Sequence, residues 1–176
     1  MGVFTNIPRD SEKGIGGIAY CYVANFGDVT VSHDSSSGYD TFSIVDTSTY
    51  STLDEVFTKF VFRKETASYT SPVTGAPAQG TTMYAQTLNM TFARNSVLKR
   101  NQLQIMGNSE MVVVVVDRNG DAWCLGNDPD SGLDLTGGDL VSGTAPGDLN
   151  GVSAILTCNS KYAPGKVADA SLSSFE

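Results

Sequence analysis

Apolar and polar residues alternate with a period of two along most of the chain, the signature of half-buried β-strands. The alternation and its breaks predict strands over Ile15–Phe26, Asp28–His33 and Tyr39–Val45, with Asp34–Gly38 as a turn. Tyr50–Thr58 fits no strand template and suits a short helix. Lys59–Tyr69 reads as a single strand. Thr81–Phe92 places Tyr84, Leu88, Met90 and Phe92 on one face and Thr87, Asn89 and Thr91 on the other. Between these two strands, Thr70–Gly80 is rich in Pro, Gly and small residues and reads as the mobile tip of a long hairpin.

One segment, Asn95–Met106, carries helical signals. Asn95 or Ser96 can cap it, Leu98 and Ile105 share a face, and Gly107 can close it in the left-handed conformation. Met111–Asp117 holds five consecutive valines, which predicts a strand buried on both faces. Asn119-Gly120 predicts a two-residue turn into a partner strand, Asp121–Gly126. Residues 127–148 read as a long loop or irregular hairpin, and Gly151–Cys158 as the last strand. Residues 1–14 and 159–176 show no core periodicity and read as terminal arms of one domain spanning 1–176. The expected fold is therefore mainly β, an antiparallel sandwich or barrel with one flanking helix.

Composition adjusts this picture in three ways. A hydrophobic share of 40% against 17% charged residues indicates a globular chain with a real core. The net charge of −8 repels phosphate at range and argues against tight nucleic-acid binding. The three cysteines, Cys21, Cys124 and Cys158, lack CxxC spacing and are expected to be free core thiols in a reducing compartment. The N-terminus shows no basic stretch followed by an apolar run, so no signal peptide is expected. No apolar run is long enough for a membrane helix.

Candidate chemistry is sparse. His33 is the single histidine, and its neighbour Asp34 points to the opposite strand face, so no catalytic triad is expected and His33 reads as a surface residue beside a turn. Asp117, Asn119, Asp121 and Asp128 occupy positions one, three, five and twelve of a calcium-loop pattern. Ala122 stands where that loop needs Gly, and the twelfth position lacks Glu, so the hairpin reading is preferred. Gly14-Ile15-Gly16-Gly17 precedes a strand, so it is no phosphate-binding loop. No catalytic residue, metal ligand or cofactor is expected, and the chain reads as a non-enzyme. Asp128, Asp130, Asp134, Asp139 and Asp148 mark an acidic surface. Arg94, Lys99 and Arg100 form a short basic cluster suited to an acidic neighbouring subunit.

The pieces Tyr84–Leu88, Lys99–Leu103, Val115–Gly126, Gly132–Gly138 and Gly143–Gly151 together resemble structural proteins of tailed phages. The resemblance is to tail tube subunits of phages infecting Bacteroides-like hosts. It implies a virion protein, assembled in the host cytoplasm, whose copies form rings, commonly hexameric, with inner sheets merging into a barrel around a channel. Rings would stack through a hairpin loop, here Ser71, Pro72, Val73, Thr74, Gly75, Ala76 and Pro77, and through arms docked by Phe4, Ile7, Tyr162 and Val167. Its partners would be itself and other tail or neck proteins, with no membrane. DNA would pass an acidic lumen without specific binding. Neck, head-completion and capsid-decorating proteins, and a calcium-stabilised binding module, are the competing readings.

Segments without a core pattern support assembly on separate grounds. Ordering each residue costs about 1–2 kcal/mol of backbone entropy, which docking on a neighbour could offset.

Overall fold

The structure, a computed structural model, describes residues 14–45, 47–168 and 172–175. Thirteen strands and two α-helices alternate along it: β1 (Ile18–Asn25), β2 (Val29–Asp34), β3 (Tyr39–Ile44), α1 (Leu53–Val56), β4 (Thr58–Val61), β5 (Ala67–Thr70), β6 (Val73–Ala76), β7 (Thr81–Ala93), α2 (Val97–Met106), β8 (Met111–Asp117), β9 (Ala122–Leu125), β10 (Asp134–Gly137), β11 (Leu140–Val141), β12 (Gly151–Ser160) and β13 (Gly165–Val167). They form two sheets. Sheet A runs β2-β3-β13-β9-β8-β1-β4 and sheet B runs β10-β12-β7-β5, with β6 on β7 and β11 on β12. The fold is a mainly β, sandwich-like arrangement in which every strand pair is antiparallel except β13 with β3.

The valine run explains why sheet A is central. Val113 and Val115 point into the core between the sheets, with Leu88, Met90, Leu125 and Leu156. Val112, Val114 and Val116 point the other way, into a second core with Tyr22, Val29, Phe57 and Phe175. All five valines are essentially inaccessible, as expected for a strand covered on both faces. Sheet B is different: β7 alternates as predicted, with Leu88 and Met90 inside, and its other face is left to solvent.

Several expectations are corrected. Lys59–Tyr69 is not one strand: β4 belongs to sheet A and β5 to sheet B, and the chain crosses between them near Glu65, which has φ 65°. Thr70–Gly80 is not without regular structure either. Val73–Ala76 pairs with Thr81–Tyr84, leaving a short 3-10 turn, Pro77–Gln79, at the tip. The Asn119-Gly120 turn is longer than two residues. Asp117 N–H donates to Asp121 C=O, and only Gly120 has a positive φ (91°), the pattern of a three-residue loop with a glycine bulge. Ser96 does cap α2, accepting from Lys99 N–H, but Gly107 closes it in right-handed geometry, φ −73°. Leu98 and Ile105 face solvent, while Leu103 and Met106 reach the core.

The largest correction concerns the C-terminal arm. Asn159 and Ser160 finish β12, and β13 inserts into the middle of sheet A between β3 and β9. Val167 is fully buried and Phe175 packs in the second core. These residues find their partners inside the domain, so Val167 is a core residue, not a docking anchor. Phe4, Ile7 and the rest of residues 1–13 lie outside the described residues.

Candidate assembly surfaces

A buried polar cluster joins the two sheets where the C-terminal segment returns. Asn127 is its hub, positioned by the turn after β9. Its Nδ2 donates to Asp40 Oδ2 (3.1 Å) and to Ala163 C=O (2.8 Å), and its Oδ1 accepts from Gln86 Nε2 (3.0 Å) and Ser160 Oγ (3.2 Å). Gln86 Oε1 in turn accepts from Gly126 N–H at 2.8 Å. Gln86 and Ser160 come from sheet B and Asp40 from sheet A, so the cluster cross-links the sandwich with its members mutually satisfied. His33 Nδ1 lies 2.6 Å from Asp40 Oδ1, and its ring stacks on Tyr162 with centroids 4.5 Å apart. His33 is therefore a partly buried strand residue, not the surface residue its neighbours suggested, and Tyr162 packs within the domain.

Burial raises the Asp40 pKa, outweighing the opposing bonds from His33 and Asn127. Burial likewise raises all three thiols: Cys158 is pushed up to about 11, and Cys21 and Cys124 go well above their ordinary value. None therefore has the lowered pKa of a nucleophilic thiol. The cluster behaves as a structural clamp. Its histidine partner was legible in principle: a turn at Asp34–Gly38 sets His33 opposite Asp40 across the β2–β3 pair.

The acidic positions scatter. Asp128 is buried, accepts Lys161 N–H at 3.1 Å and pairs with Lys161 Nζ at 3.6 Å, so it is no surface charge. Asp130 shares the same lysine at 2.9 Å. Asp148 accepts the amides of Thr144 and Ala145, which lower its pKa. Asp134 pairs across from Thr157, and Asp139 exchanges backbone bonds with Ser153, which puts both on the solvent face of sheet B. Asp117 accepts the amides of Asn119 and Asp121, and Asp121 pairs with Lys166, so the calcium-pattern residues are used within the hairpin and its neighbour. Among the described residues no group of three or more His, Cys, Asp or Glu is placed to hold a metal.

Two exposed surfaces remain. The solvent face of sheet B presents Ser68 and Thr70 of β5, Thr87, Asn89 and Thr91 of β7, and Ser153, Ile155, Thr157 and Asn159 of β12. The six strands of this sheet contain one charged residue, Asp134. The second surface is the β6–β7 hairpin. β12 ends opposite Tyr84, so Thr81–Met83 and their β6 partners Thr74–Ala76 run on beyond it; Met83 is exposed there, and Val73, paired with Tyr84 at the base, is exposed as well. This hairpin contains Val73–Pro77 of the predicted stacking segment, and Ser71 and Pro72 lead into it. Among the described residues no helix is long and apolar enough to cross a membrane. Comparison with protein-family models, with curated proteins and with solved structures finds no match for this chain.

Proposed function

We propose that the protein is a non-enzymatic structural subunit that assembles with copies of itself into stacked rings around a channel, as a tail tube subunit does. The observation that carries this reading is the solvent face of sheet B. It is broad, lined mainly with hydroxyls and amides around one exposed isoleucine, Ile155, and free of Lys and Arg. A polyanion such as DNA would find no cation to hold it there, and Asp134 and Asp139 would repel it mildly. The lining is thus closer to neutral than the five aspartates suggested.

The sheet also ends in strands that suit closure. β5 and β10 are its terminal strands, and they run in opposite directions, so β5 of one copy can pair antiparallel with β10 of the next. Repetition around an axis would satisfy both edges and turn the hydroxyl face inward. In this reading the copies line a virion tail, DNA passes without specific binding, and the remaining partners are neighbouring tail proteins. The test is sedimentation and negative-stain microscopy of the purified chain over rising concentration. Rings or tubes with an open centre are expected. A chain that stays monomeric at the highest attainable concentration overturns the reading.

A further inference from the structure

Most of the described cations gather in one place. Lys59, Arg63, Lys64, Arg94, Lys99 and Arg100 lie where β4 leaves sheet A, β7 ends and α2 begins. Lys59 and Lys99 line one groove, Arg63 and Arg94 share a neighbouring hollow, and Lys99 Nζ donates to Arg94 C=O at 3.0 Å. The other described cations are Arg118, Lys161 and Lys166, and the two lysines are ion-paired with Asp130 and Asp121. Arg63, Arg94 and Arg100, by contrast, meet no carboxylate at ion-pair distance among the described residues. Asp148 borders the hollow, but its carboxylate already accepts the amides of Thr144 and Ala145. Lys64 and Glu65 stand 4.0 Å apart and well exposed, a contact worth little. A local positive field therefore persists on a chain of net charge −8, because distant charges are screened beyond about 8 Å at physiological salt.

Beside these cations is an apolar groove of about 210 Å³ between β4, β7 and α2. Val61 and Leu98 line it, each 69% exposed, together with the half-buried Phe60, Phe92 and Leu103. Large aliphatic groups left open beside unpaired cations mark an interaction surface. β4 is also the outer strand of sheet A and pairs with β1 alone, so its other backbone edge is open.

We propose that this surface binds an acidic segment of a different protein, one whose carboxylates flank large aliphatic side chains. The aliphatic groups cover Val61 and Leu98, and the carboxylates meet the guanidinium forks of Arg63 and Arg94. An extended segment can in addition bond to the open edge of β4. Nucleic acid is a poorer match, because the well-exposed apolar groups here are aliphatic and do not stack bases. A second copy of this chain is a poorer match too. Its Asp117, Asp121, Asp128, Asp130 and Asp148 are already held by amides or lysines of their own chain. The inference goes beyond the ring reading and does not depend on it.

The probe is a fluorescein-labelled peptide of about twelve residues, roughly 40 Å when extended, in which Glu and Asp alternate with Leu and Val. Fluorescence anisotropy is read with the full-length chain at concentrations where sedimentation shows a monomer. Saturable binding that weakens as salt rises is expected. Arg63→Glu should weaken it by at least about tenfold, since it sets like charges together. Leu98→Ser should weaken it by at least about fivefold, as loss of an apolar anchor does. Arg118→Glu makes the same change in net charge away from the groove and should alter binding by less than about twofold. Both Arg63 and Leu98 are exposed, so folding is spared, and matching thermal melts check this. Absence of saturable binding, or equal losses from Arg63→Glu and Arg118→Glu, overturns the proposal. So does equal binding of a peptide with Ser in place of Leu and Val, or tighter binding of a single-stranded oligonucleotide of matched charge.

Discussion

Replacing Phe175 with alanine measures whether the C-terminal segment belongs to the domain. The ring is 2% exposed and packs against Phe57 (centroids 4.5 Å), Tyr22 (5.2 Å) and Phe42 (5.6 Å). A buried Phe→Ala change costs about 3–5 kcal/mol, combining lost transfer energy with the cavity left behind. The 3-10 turn Ser173–Phe175 can settle partly into the gap, which favours the lower end, about 3 kcal/mol. With a urea slope of about 2 kcal/mol per molar, the midpoint should fall by about 1.5 M. The melting temperature should fall by about 6–12 °C. Urea titration followed by tryptophan fluorescence reads the change, since Trp123 sits in β9, beside β13. The loss should be the same at every protein concentration, because the contacts are within one chain. A loss below about 0.5 kcal/mol, the level of an ordinary surface substitution, would refute the burial of this turn. A loss that appears only where the protein associates would return the segment to its role as an arm.

Two further outcomes follow from side-chain geometry. A Cβ at Gly165 would overlap the Asp40 carboxylate, so Gly165→Ala should destabilise by at least about 2 kcal/mol, and a normal thermal melt would contradict the packing of β13 on the polar cluster. The Asp34 carboxylate accepts from the Ser36 and Ser37 hydroxyls and the Ser36 amide, which hold its pKa well below the ordinary 3.8. A lowered folded-state value contributes stability above the ordinary value and loses it as the pH falls further. The melting-temperature deficit of Asp34→Asn should therefore be present at neutral pH and shrink steadily below about pH 4; a deficit independent of pH would refute the assignment.

Local chemistry made much of the fold legible. The valine run announces a strand covered twice, the alternation of Thr87 to Phe92 separates inside from outside, and Ser96 marks the start of α2. What stayed hidden was set by partners far along the chain. Gly165–Val167 is too short to show a period, and it becomes a strand because β3 and β9 leave a gap that it fills. Alternation through Phe60 and Phe62 says that the segment is extended but not which sheet it joins, so the crossover at Arg63–Thr66 left no periodic trace. Asp128 looked like surface because acids crowd around it in sequence, yet Lys161 reaches it from another segment. The hairpin and the hydroxyl face were readable as patterns. An apolar groove between β4, β7 and α2, lined by Phe60, Phe92 and Leu98, was not, because these residues come together only once both sheets have formed.

The place of β13 has a consequence for biosynthesis. Hairpin β2–β3 is made early in synthesis, yet among the described residues its sole strand-to-strand link to the rest of sheet A runs through β13. Until residues 165–167 emerge, the nascent sheet exists as two fragments with an open slot between β3 and β9. Such long-range closure slows folding. It also means that a message cut short before this point yields a product with its central sheet divided, a substrate for proteases.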